Sequence, residues 1–175
     1  MIELMAGRMA EGIKRRAPEH PASVAVLKHA LAVLINTISI IVFSLTGALF
    51  TGNMKQIITI MLAFALLRMV SGGLHLKTGS MCVLVTTSLF LFLSFVELKE
   101  SSNFILNSIS LILALIFAPS GIEKQSRINK KYYPLLKFLS AIMISLNFWI
   151  GSSTIAASFF VQALTLISRK EVRPQ

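Results

Sequence analysis

Aspartate is absent from this chain of 175 residues, and its whole acidic complement is seven glutamates: Glu3, Glu11, Glu19, Glu97, Glu100, Glu123 and Glu171. Few carboxylates are therefore on hand for any acid–base site. There is a single cysteine, Cys82, so no disulfide can form within the chain, and one cysteine with three scattered histidines makes a poor transition-metal or structural zinc site. No metal or other cofactor is expected. Charge is scarce too: 14% of residues are charged against 55% hydrophobic, with a mean hydropathy of +0.77, outside the soluble range. The chain reads as an integral membrane protein. Its apolar runs recur along the whole length and its first twenty residues carry both charge signs, so a cleavable signal peptide does not account for them.

What is present is a succession of helix-length apolar segments, and the expected fold class is all-α and polytopic. Residues 1–17 place Ile2, Met5, Met9 and Ile13 at helical spacing with charge mostly elsewhere on the wheel, which predicts an amphipathic helix lying in the headgroup plane of the bilayer, ended by Pro18 and Pro21. Spans are expected at about residues 30–50, 56–68, 78–96 and 103–118, the last ended by Pro119. Residues 138–168 carry no charge and as one helix would rise roughly 46 Å, against a hydrocarbon core of about 30 Å. A turn at "GSST", residues 151–154, divides that stretch into spans at 135–150 and 153–168. No repeat, low-complexity segment or long linker separates domains, so residues 1–175 read as a single membrane domain.

Six spans make a charge prediction, because lysine and arginine collect in alternate, cytoplasmic loops. With both termini in the cytoplasm, fifteen of the seventeen basic residues fall inside and only Lys55 and Lys99 outside. Set against five inner and two outer glutamates, the inner side carries the whole net charge of +10. The basic balance is thus a topology signal, and no nucleic-acid partner is expected.

The stretch "RMVSGGLHLKTGSMCVL", residues 68–84, gathers polar and reactive groups at the cytoplasmic face. Each has a bland reading: Cys82 a small apolar residue, His75 an interfacial one, Gly72 and Gly73 a turn, Arg68 a snorkelling side chain. Taken together they suggest nucleophilic chemistry, in which an imidazole takes the proton of a thiol. Seven residues on one continuous helix would separate His75 and Cys82 by about 10.5 Å along the axis, too far for proton transfer. The helix must therefore break between them. Gly79, with positive φ, and Ser80, as N-cap of the third span, offer that break; Cys82 would then lie in a first helical turn, whose free N–H groups and positive dipole end favour a thiolate. A third member orienting His75 is either absent, an amide or hydroxyl, or Glu123. Arg68 reads as a clamp for a substrate carboxylate or carbonyl, or as a bridge to Glu123.

In the pattern R-x3-G-G-x-H-x6-C formed by Arg68, Gly72, Gly73, His75 and Cys82, and in "FAPSGIEK" at 117–124, the chain resembles the accessory gene regulator B family. The resemblance implies a peptidase in the cell membrane of a Gram-positive bacterium that matures a quorum-sensing propeptide. Cys82 would cleave near the propeptide's C-terminal tail, holding the remainder as a thioester, and His75 would act as base and acid. A thiol or hydroxyl within the peptide would then close a thiolactone or lactone ring. The implied partners are a propeptide with an amphipathic N-terminal helix and an acidic tail, the lipid bilayer, and a second copy in a homodimer. Lys124, Arg127, Lys130 and Lys131 are candidate contacts for the acidic tail.

Two other classes compete. A small non-enzymatic transporter subunit would use Arg68 and His75 to line a polar pathway. An intramembrane serine peptidase would use Ser80, but no G-x-S-x-G-type setting surrounds that serine.

Overall fold

The computed structural model describes residues 1–74, 76, 78–121 and 129–167. Among these residues the elements are all helical, and they form two compact units, Met1–Met54 with His75–Leu91 and Lys55–Leu74 with Phe92–Gln175.

The first unit contains α1 (Ile2–Arg16), α2 (Val24–Thr51) and most of α4 (Gly79–Leu93). Helix α1 buries Ala6 and Ala10 completely and packs on α2, since small side chains let the two backbones come close. Its Leu4, Met5, Met9 and Ile13 face outward, uncovered by this chain. Helix α2 starts earlier than the uncharged run beginning at Ala30, because Ser23 caps it by accepting from the Val26 N–H at 3.3 Å. Two contacts place α4, Gly79 against Ile2 and Gly47 against Leu91, and a third, Gly7 against Lys28, places the start of α2. The starts of α2 and α4 are thus both near α1 and their far ends near one another, so the two helices run parallel.

The second unit contains α3 (Met54–Ser71), α5 (Glu100–Phe117), a 3-10 turn (Lys130–Tyr132), α6 (Tyr133–Ile150) and α7 (Ser153–Leu164). Its core joins Ala63 and Leu67 of α3, Ala114 of α5, Ile144 of α6 and Phe159 of α7, closed by Ala118 and Leu166 just past two helix ends. Polar side chains tie the helices as well. Asn107 donates to the Ile144 carbonyl at 3.0 Å and accepts from Asn147 at 3.3 Å, while Ser158 donates to the Ile60 carbonyl at 3.2 Å. In an apolar surrounding such groups must find protein partners, so they join one helix to the next. A tight turn at Gly151 separates α6 from α7, with Ser152 capping α7 through the Ile155 N–H and Trp149 beside it 90% exposed. The division expected at residues 151–154 is where the chain turns.

Among the described residues, four helical stretches are long and apolar enough to cross a membrane: Val24–Thr51, Met54–Ser71, Glu100–Phe117 and Lys130–Ile150. The other two apolar helices, α4 and α7, have 15 and 12 residues. They rise only about 22 and 18 Å, short of the hydrocarbon thickness of roughly 30 Å. The chain has the make-up of a multi-pass membrane protein.

Candidate functional site

Cys82 lies in the first turn of α4, half-buried and free of any disulfide. The break expected before it exists, since α3 ends at Ser71, α4 begins at Gly79, and Leu74, Leu76 and Thr78 are outside any helix. Its chemistry differs from the expectation in two respects. Gly79 is not among the glycines with positive φ; the left-handed residues are Gly72 and Gly73, at +73° and +133°. The capping hydroxyl belongs to Thr78, which accepts from the Met81 N–H at 3.3 Å, while Ser80 is exposed within the helix. Thr78 wins because it immediately precedes the helix, which places its hydroxyl opposite the N–H three residues on. The amide of Cys82 is itself engaged, donating to the Thr78 carbonyl at 3.1 Å.

In the other unit, the C-terminal ends of α3, α5 and α7 converge. Past α3, the Gly73 N–H donates to the Ser120 carbonyl at 2.8 Å, and the Ser120 N–H to the Ser71 carbonyl at 2.9 Å, which makes an isolated parallel bridge between Gly72 and Ser120. Ser120 follows the cis Ala118–Pro119 bond after α5. The Leu74 N–H donates to the Thr165 carbonyl at 2.9 Å, past the end of α7. Gln162, fully buried in the last turn of α7, donates through Nε2 to the Gly72 carbonyl at 2.6 Å and to Ser71 Oγ at 3.2 Å. Its Oε1 accepts from Thr165 Oγ1 at 3.2 Å and from Arg68 at 3.4 Å.

Arg68 is half-buried and does more than snorkel: its second guanidinium nitrogen donates to the Leu74 carbonyl at 2.7 Å, and its carbon sits 5.9 Å from the centre of the Phe64 ring. A cation is well placed there, because the three helix ends present the negative poles of their dipoles. The glycine pair is explained by the same convergence. A β-carbon on Gly73 would collide with Thr165 Oγ1 and lie 3.2 Å from Gln162 Nε2, and φ at +133° is closed to other residues.

Of the residues expected at the site, Arg68, Gly72 and Gly73 are brought together in the second unit, and Cys82 and Ser80 share α4 in the first. His75, Glu123, Lys124 and Arg127 lie outside the described residues, and with them any bridge from Arg68 to Glu123. Lys130 and Lys131 are exposed in the 3-10 turn before α6, where Asn129 Oδ1 accepts from the Lys131 N–H. The sequence reading missed Gln162, Thr165, Ser71 and Ser120. One signal was available: Gln162 is a full amide inside an apolar run, and a polar group at such a depth needs a partner.

A sequence model of one family, described as accessory gene regulator B, matches residues 6–168. Comparison with curated proteins found no match, and neither did comparison with solved structures.

Proposed function

This chain belongs to the accessory gene regulator B family, associated with processing of autoinducing peptides, and from that premise we propose that it is a membrane cysteine peptidase and cyclase. The thiolate of Cys82 attacks the carbonyl of an amide near the propeptide's C-terminal tail. His75 holds the thiol proton and passes it to the departing amine, so the tail leaves and an acyl thioester remains on Cys82. A thiol or hydroxyl of the bound peptide then attacks that thioester, the Cys82 sulfur departs, and a thiolactone or lactone ring closes. Exchange between thioesters is close to isoenergetic, so the ring forms when the tethered nucleophile outruns water, which an enclosed site favours. Opening the amide is uphill, and removal of the tail helps drive it.

The observation that carries this reading is the family match over nearly the whole chain, which includes Arg68, Gly72, Gly73, His75 and Cys82. The half-buried Cys82 in a first helical turn, and the non-helical chain on both sides of His75, support it. We place the protein in the cell membrane of a Gram-positive bacterium, with six spans, both termini and the site at the cytoplasmic face, and α1 in the interface. The parallel course of α2 and α4, the common end of α3, α5 and α7, and the basic inner loops are what this topology requires. Lys130 and Lys131, with Lys124 and Arg127, are assigned to the acidic tail, and a homodimer is the assembly.

The test is mass spectrometry of the protein after mixing with a synthetic propeptide. An acyl adduct on Cys82 that is lost in Cys82→Ala, with binding retained, and cleavage abolished in His75→Ala are the expected results. Cleavage that persists in both variants would remove the dyad, and a Cys82→Ala variant that still performs the cellular task would restore the transporter reading.

A further inference from the structure

Residues 72–74 are the last stretch of chain before His75, and apart from a 3.5 Å contact from Ser71 Oγ to the Gly72 carbonyl their anchors come from other segments or from Arg68. Gly73 is held by Ser120, Leu74 by Thr165 and Arg68, and Gly72 by Gln162. The other buried amides described in its unit, Asn103, Asn107 and Asn147, link α5, α6 and the turn into α7, at the opposite end of α7 from Gln162; Asn103 and Asn147 hold that turn through the Gly151 and Ser152 carbonyls. Gln162 likewise reaches beyond a helix end to non-helical backbone, but the carbonyl it reaches, that of Gly72, is three residues from His75 in sequence. Both ends of its side chain are used at once: the NH2 serves Gly72 and Ser71, and the oxygen accepts from Arg68 and from the Thr165 hydroxyl, which donates at 2.7 Å to the Gln162 backbone carbonyl as well. Only an amide of this length offers donor and acceptor together here; leucine offers neither, and an ionised glutamate would set a negative oxygen against the Gly72 carbonyl.

We infer that Gln162 is a positioning residue: it locks the backbone of residues 72–74 and so sets where the chain delivers His75. Glue between helices would stabilise the bundle without choosing a backbone path for the loop, whereas this contact is made to the loop itself. The anchoring stands on the hydrogen bonds alone, and its consequence for Cys82 rests on the peptidase reading.

The experiment uses the full chain in lipid nanodiscs and two readouts. Hydrogen–deuterium exchange of a peptide covering residues 72–76 should quicken about ten-fold in Gln162→Leu, while segments of α5 stay unchanged. The alkylation rate of Cys82 by iodoacetamide at neutral pH should fall in His75→Ala, fall by a similar factor of about ten in Gln162→Leu, and fall no further in the double variant. Gln162→Met, close in shape to glutamine, serves where Gln162→Leu does not insert, and Gln162→Glu should fail to restore either readout.

Exchange at residues 72–76 that stays at the wild-type rate in Gln162→Leu and Gln162→Met would overturn the inference. So would faster exchange with unaltered Cys82 reactivity where His75→Ala lowers it. Cys82 reactivity indifferent to His75→Ala would instead count against the dyad, and the exchange readout would still decide whether Gln162 holds the loop.

Discussion

Gly73 shows what a single residue does in this protein. Its φ of +133° and the Thr165 hydroxyl lying where a β-carbon would go make Gly73→Ala strained twice over. Thermal unfolding in detergent should show a loss of about 1–3 kcal/mol for that variant. Gly12, inside α1 with nothing within 4 Å of an added β-carbon, gives the contrast: Gly12→Ala should leave stability unchanged or raise it by up to about 1 kcal/mol. Equal effects at the two positions would contradict the account. The glycine pair was legible as a turn from sequence, but what presses on it was not, because Gln162 and Thr165 are some ninety residues away. The cap of α4 is a smaller case of the same kind. Thr78 and Ser80 both carry a hydroxyl near the helix start, and only the position of the first helical residue decides between them.

Among the elements, α6 and α7 with their turn depend on polar contacts that hydropathy does not register. Asn147, 2% exposed, donates to Asn107 and to the Ser152 carbonyl and accepts from the Ser152 N–H. Asn147→Leu should lower stability by about 1–2 kcal/mol, because it leaves those partners unpaired in an apolar setting. Ser152→Ala, which removes the hydroxyl bonded to the Ile155 N–H, should cost about 1 kcal/mol. Chemical denaturation of each variant checks both values, and an unchanged midpoint for Asn147→Leu would rule out the network as a source of stability. The helices themselves were legible: each apolar run picked out along the chain lies largely within one helix. Their ends were less so. A boundary drawn at the first charge misses α2's start, since Lys28 stands inside the helix that Ser23 caps.

For the whole molecule, the charge distribution predicts an orientation that can be tested directly. In a Cys82→Ala background, Lys55→Cys and Lys99→Cys should react with a membrane-impermeant maleimide added to intact cells. Lys130→Cys and Lys131→Cys should react only after the cells are opened. The reverse pattern would invert the topology, and labelling of all four in intact cells would contradict an alternating arrangement of spans.

Hydropathy and charge are local properties, each readable over one or two dozen residues, so the residues alone determined a helical membrane protein and the positions of its apolar segments. The motif from Arg68 to Cys82 was equally plain, being contiguous. Folding in space decided which helix ends meet. Gln162 and Gly72 are 90 residues apart, and their hydrogen bond depends on how α3 and α7 pack, a matter of side-chain shape and partner geometry that no periodicity along one segment encodes.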